Sequence, residues 1–229
     1  RRFVSDASHE LKTPLAGIRL LTDSILQTDH MDEATTKEFV TDIGREAERL
    51  SRITENLLRL TRLDSGVVQQ PYPVAVRPVL ERVERMLTMV AQEKGVTVSG
   101  AADEDAVALA TDDDVHQILY NLMENAIKYS AAEDGFVRAE AHVDGDRVVL
   151  TVSDNGIGIP NEDLPHIFDR FYRVDKMRSR EVGGTGLGLS IVKDTIENRG
   201  GTISAGHGAN GVGTVFTVYL PLAERGEEA

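Results

Sequence analysis

His9-Glu10-Leu11-Lys12-Thr13-Pro14-Leu15 sets an imidazole nucleophile beside a carboxylate, with a hydroxyl one turn further on, and that combination suits phosphoryl acceptance. Apolar residues at Val4, Ala7, Leu11, Pro14, Ile18, Leu21 and Ile25 step by threes and fours, the a/d pattern of a helical seam. His9 takes position f of that register and faces away from the seam, where its ring is open to an incoming donor. Thr13 shares the same face. Pro14 has no N–H, so the Glu10 carbonyl loses its helical partner, and a kink is expected within a turn of His9 at about 3 kcal/mol. A surface histidine alone is usually inert, and the other five histidines have no such surroundings. A phosphoacceptor also requires a nucleotide site, and the C-terminal half supplies candidates.

The first candidate is Asn121-Leu122-Met123-Glu124-Asn125-Ala126-Ile127-Lys128-Tyr129. On a helix, Asn121, Asn125 and Lys128 share one face, while Val115, Ile118, Leu119, Leu122 and Ala126 form a neighbouring apolar one. Amide oxygens suit a hard cation such as Mg2+, and the lysine brings positive charge to phosphates. Asp154-Asn155-Gly156-Ile157-Gly158-Ile159 follows at the end of a strand, where a carboxylate accepts from an exocyclic amine and glycines allow close backbone approach. After Phe168-Asp169-Arg170-Phe171-Tyr172-Arg173 and a charged stretch, Gly183-Gly184-Thr185-Gly186-Leu187-Gly188-Leu189-Ser190 opens a helix whose N–H groups suit phosphate oxygens. Gly211-Val212-Gly213-Thr214 lies in the closing hairpin. Each motif is weak singly; their order and spacing together are specific.

These residues require two kinds of scaffold. Arg2–Gln27 and Asp32–Asp64 read as helices, the second with Phe39, Ile43, Ala47, Leu50, Ile53, Leu57 and Leu60 on its stripe, and together they form a helical hairpin. A lone hairpin buries little, so pairing with a second copy into a four-helix bundle is expected. Packing of the hairpin on its own C-terminal domain is the alternative. Ser65–Pro73 is turn-rich and marks the domain boundary: a hairpin over 1–66, a linker over 67–73, a second domain over 74–222 and an acidic tail over 223–229. Within the second domain, strands are expected at Val74–Val76, Val96–Ser99, Val107–Ala110, Phe136–Val143, Arg147–Ser153, Thr202–Gly206 and Thr214–Leu220. Helices are expected at Pro78–Lys94, Asp112–Ser130 with Thr111 as cap, and Leu187–Arg199. This pattern gives an α/β sandwich, a mixed sheet with helices on one face.

The 229 residues carry a formal charge of −13, which argues against a nucleic-acid surface. Absence of cysteine excludes disulfides and thiolate metal sites and fits a reducing cytosol. No apolar run approaches the ~20 residues of a membrane span. The chain opens at Arg1-Arg2 inside a helical pattern, as expected of part of a longer protein with an upstream sensor segment.

On these motifs the chain, from Phe3 through Leu222, resembles the cytoplasmic core of two-component sensor histidine kinases. Its second domain resembles the Bergerat ATP-binding fold shared with gyrase, heat-shock chaperones and mismatch-repair ATPases. The resemblance implies that His9 is the phosphoacceptor, Glu10 the general base, and Thr13 a residue for dephosphorylating the partner. It implies that Asn121 and Asn125 hold Mg2+, that Lys128 and Tyr129 contact ATP, that Asp154 recognises adenine, and that Arg173 approaches the γ-phosphate. Gly156, Gly158, Gly184, Thr185, Gly186, Leu187, Gly188 and Thr214 complete the implied cofactor site, with Val174–Gly184 as a mobile lid. In gyrase-type ATPases a water-activating glutamate occupies the place matched by Asn121, and an amide is no base, so slow hydrolysis and transfer to a protein nucleophile are implied; Glu124 on the flank of that face leaves room for a weak residual ATPase. The implied partners are a response-regulator receiver domain and a second copy, with a membrane anchor only through an upstream segment. Two rivals stay open: a nucleotide-driven conformational ATPase, and a non-enzymatic dimeric adaptor.

Overall fold

The computed structural model describes residues 2–28, 30–66, 69–130, 134–174 and 184–223. Helices α1 (Arg2–Gln27) and α2 (Glu33–Asp64) form the expected hairpin. Asp32 stands just outside α2 as its N-cap, its carboxylate accepting from the Thr35 N–H at 2.9 Å and so satisfying one of the helix's free donors. Helix α1 runs on through Pro14. The Thr13 hydroxyl donates to the His9 carbonyl at 3.1 Å, so the two residues do share a face.

The second domain contains β1 (Tyr72–Ala75), α3 (Val76–Glu93), β2 (Val96–Ala102), β3 (Val107–Ala110), α4 (Asp112–Lys128), β4 (Gly135–Asp144), β5 (Arg147–Asp154), α5 (Gly188–Asn198), β6 (Thr202–His207) and β7 (Thr214–Pro221). The main sheet has the order β2-β4-β5-β7-β6, with β2 parallel to β4 and the other pairs antiparallel; β1 and β3 form a separate ribbon. Along β4, Val137, Ala139 and Ala141 are buried while Phe136, Arg138, Glu140 and His142 are exposed. That alternation identifies a sheet covered on one face only. The covering layer is α3, α4 and α5, whose Leu80, Leu87, Ile118, Leu122, Val192 and Ile196 join the sheet residues in one core.

Several expected boundaries shift by one to three residues, β1 to Tyr72–Ala75 and β2 to Val96–Ala102 among them. Helix α3 begins at Val76 rather than Pro78, which places Pro78 in the first turn where its missing N–H costs nothing. Helix α4 ends at Lys128, and its start carries a full capping box: Thr111 accepts from Asp114 N–H while the Asp114 carboxylate accepts from Thr111 N–H. Most of the expected lid, residues 175–183, and the tail beyond 223 lie outside the described residues.

The hairpin meets its own second domain through one part of its surface. Leu60 of α2 is fully buried against Leu187 and Ile191, with Phe3, Leu57, Leu63 and Phe171 around them. Arg170 donates to both oxygens of Asp64 at 2.9 and 2.7 Å and to Asp194 at 2.8 Å, and it lies 5.3 Å above the Phe3 ring. Much of the hairpin's other apolar surface, including Val4, Leu15, Leu20, Leu26, Val40 and Leu58, remains exposed in one chain.

Candidate nucleotide and phosphoacceptor site

A cavity of about 490 Å3 opens between the second domain and α2. Asn121, Glu124, Asn125 and Lys128 of α4 form one wall, placed there because Leu119, Leu122 and Met123 are buried on the other side of the helix. The Asn121 amide nitrogen donates to the Gln117 carbonyl at 2.9 Å. Its oxygen faces the start of α5, so close that a Cβ at Gly188 would come within 2.9 Å. Lys128 pairs with Glu124 at 3.0 Å. These amide and carboxylate oxygens are hard donors of the kind Mg2+ takes together with phosphate and water. No group of three or more His, Cys, Asp or Glu suited to a metal occurs among the described residues.

Asp154 ends β5 in the cavity wall and is 5% exposed. Its Oδ1 accepts from the N–H groups of Gly156 at 2.8 Å and Thr214 at 3.2 Å. Oδ2 has no hydrogen bond among the described residues and is the oxygen left for a donor in the cavity. Burial raises the carboxyl above its usual range, opposed by the two N–H groups. Gly156 is not among the residues that line the cavity. A Cβ there would lie 2.0 Å from the Tyr129 carbonyl oxygen, so this glycine lets the Asp154 turn seat on the end of α4, where Ile157 N–H donates to the same oxygen at 3.1 Å.

Gly158, Tyr129, Gly184, Thr185, Gly186, Gly188 and Thr214 line the cavity. Leu187 does not: its side chain is fully buried against Leu60, because the α5 N-terminus is the part of the domain that meets α2. Phe171 sits at φ +65°, a strained conformation for an aromatic residue, held by its N–H donating to Gly186 at 2.8 Å and by its ring, 6.0 Å from Phe3. Arg173, two residues on, lines the cavity, yet its guanidinium reaches out to Glu10 at 2.7 Å.

That contact joins the two halves of the site. His9 and Thr13 are exposed on α1 outside the cavity wall, while Glu10 is held at its edge by Arg173 and by Arg49 of α2 at 3.3 Å. Arg49, 8% exposed in its side chain, also faces Glu46 at 3.7 Å. It was not anticipated, and neither were Arg52 and Asn56 of α2, which line the cavity; Asn56 donates to Thr185 at 3.3 Å. Their signal was present in the sequence: Arg49, Ile53, Asn56 and Leu60 recur at helical spacing, so polar residues continue an apolar stripe.

The chain is thus a one-sided α/β sandwich with an asparagine-lined cavity, joined to a helical hairpin bearing an exposed histidine. Residues 1–66 match the His Kinase A (phospho-acceptor) domain, and residues 110–224 match the histidine kinase-, DNA gyrase B-, and HSP90-like ATPase family. The chain belongs to the histidine kinase family and comprises its phosphoacceptor and ATPase modules. It is 35% identical over 232 residues to the sensor histidine kinase WalK of Bacillus subtilis, a match that takes in 100% of this chain and 38% of WalK. Full-length ShkA, solved with AMPPNP, is 28% identical with a TM-score of 0.69, covering 97% of this chain and 46% of ShkA. The histidine kinase ThkA, solved with the response regulator TrrA, shares the fold at a TM-score of 0.75 and 21% identity, covering 97% of this chain and 61% of ThkA. No helix among the described residues is long and apolar enough to cross a membrane.

Proposed function

We propose that the chain is the autophosphorylating core of an ATP-dependent protein-histidine kinase, with a hairpin over 1–66, a linker over 67–73 and a catalytic domain over 74–222. The observation that carries this reading is the Glu10–Arg173 pair: the carboxylate next to His9 is joined at 2.7 Å to a residue of the nucleotide cavity, so acceptor and donor sites adjoin. Adenine binds with its amine on Asp154, and the phosphates run along α4 toward Asn121 and the Gly184–Gly188 loop. Asn121 and Asn125 would hold Mg2+, which supplies charge neutralisation for the phosphate chain. A ring nitrogen of His9 attacks the γ-phosphorus, the bond to the bridging oxygen breaks, ADP leaves, and Glu10 takes the ring proton. The phosphoryl group then passes to an aspartate of a response-regulator receiver domain, a partner class in keeping with the ThkA complex.

The exposed Val4, Leu15, Leu20, Leu26, Val40 and Leu58 support a homodimer, in which two hairpins bury these side chains as a four-helix bundle. Sedimentation should give twice the chain mass. We further infer that the whole protein is a sensor kinase, as its WalK relative is named.

The decisive experiment is incubation with γ-labelled ATP and Mg2+. Acid-labile label on the unaltered chain, absent from His9→Gln, is the expected result. Label surviving His9→Gln would overturn the reading, and inorganic phosphate without labelled protein would favour a conformational ATPase using Glu124.

A further inference from the structure

Three cations line the cavity: Arg52, Lys128 and Arg173. Lys128 is taken up by Glu124 at 3.0 Å and Arg173 by Glu10 at 2.7 Å. Arg52 alone among them has no ion pair or side-chain hydrogen bond within the described residues. It belongs to α2, on the same side as Asn56, which touches Thr185, and Arg59, which pairs with Asp113 at the start of α4 at 2.9 Å. These neighbours fix α2 across the cavity mouth, so the guanidinium is carried there by a helix rather than a loop.

Its position along the cavity follows from Asn56, one turn further along α2, which donates to Thr185 of the Gly184–Gly188 loop at 3.3 Å. The end of that loop faces Asn121 at Gly188, so Arg52 lies toward the Asn121 end of the α4 wall. Asp154, by contrast, is seated through Gly156 on Tyr129. Asn121 and Tyr129 are eight residues apart, about 12 Å at 1.5 Å per residue, so Arg52 and the adenine-binding carboxylate stand at different ends of the site. A group spanning that length, amine-bearing at one end and anionic at the other, is a nucleoside triphosphate.

We propose that Arg52 of the hairpin is a ligand of the terminal phosphates of ATP, so that the phosphoacceptor module contributes to the nucleotide site of its own chain. This inference rests on the functional reading of the cavity given above. A guanidinium facing phosphate oxygens makes charge-assisted hydrogen bonds without first having to break an internal pair, which Lys128 and Arg173 must do. By linkage, triphosphate bound to Arg52 holds the catalytic domain against α2, and loss of the terminal phosphate weakens that hold.

The test is calorimetric titration of the whole chain with ATP and with AMP, in Mg2+, for the unaltered protein, Arg52→Gln, Arg52→Lys and the control Arg45→Gln on the exposed face of α2. Arg52→Gln should weaken ATP by about three- to tenfold, in keeping with a partly exposed charge-assisted contact, and leave AMP unchanged. Arg52→Lys should recover most of the loss and Arg45→Gln should show none. Equal ATP affinity in Arg52→Gln, or equal losses for ATP and AMP, would overturn the assignment while leaving the kinase reading intact. Failure of the unaltered chain to bind ATP would overturn the kinase reading and this inference with it.

Discussion

The Glu10 carboxylate of α1 receives the Arg173 guanidinium of the catalytic domain at 2.7 Å, on the same oxygen that Arg49 approaches at 3.3 Å. One oxygen of this carboxylate is thus engaged by two guanidinium groups at once. In the proposed reaction Arg173 leaves Glu10 for the phosphate chain of ATP, whose greater charge draws it into the cavity. Arg49, held within the hairpin, stays to orient the carboxylate.

Glu10→Gln should accordingly slow autophosphorylation by about 10²- to 10⁴-fold, the usual worth of a positioned general base. ATP affinity should hold or rise, since Arg173 loses its competing partner. Rapid-quench labelling alongside calorimetry separates the two quantities. An unchanged rate would remove Glu10 from the reaction.

Asp154→Asn should weaken ATP by roughly 1–3 kcal/mol, because the amide retains an acceptor but presents N–H groups where the carboxylate offered only lone pairs. The loss should be the same for ATP and AMP, in contrast to the Arg52 variant. A loss confined to ATP would contradict the adenine role.

The pH dependence of Asp154 has two opposite signs. Burial raises its carboxyl above the usual 3.8, so the folded chain keeps this proton where the unfolded chain has lost it. The stability it contributes is fully present below about 3.8 and is lost as pH rises through the raised value. Nucleotide affinity runs the other way, falling with pH as the carboxylate becomes protonated. Affinity measured on the acid side should decline sooner in the unaltered chain than in Asp154→Asn, and parallel curves would count against Asp154 as the titrating group.

Thr13→Ala should keep autophosphorylation and lose most dephosphorylation of a cognate regulator. The hydroxyl is exposed, is one turn from His9, and makes only a local bond to the His9 carbonyl, so its removal leaves the packing intact. Paired assays on the one variant distinguish the outcomes. Loss of both activities would assign Thr13 a role in shaping the turn, and loss of neither would exclude it from phosphatase action.

Much of this protein was legible in the chain because it rests on local chemistry. The steps of three and four in α1 and α2, the Thr111 cap, the alternation of β4 and the glycine turns act over a few residues, so spacing alone identified the hairpin, the one-sided sandwich and the α4 wall. The close approach of Asp154 to Gly156 and of Thr13 to His9 is of the same kind. Tertiary structure decided what local periodicity cannot encode. The pair of Glu10 and Arg173 is separated by 163 residues. The use of Leu187 as a seam residue against Leu60, and of Arg52 and Asn56 as cavity walls, depends equally on which face of α2 meets the catalytic domain. A helix carries polar residues on several faces at equal local cost, and only the docking of another domain selects which of them leave water and enter a site.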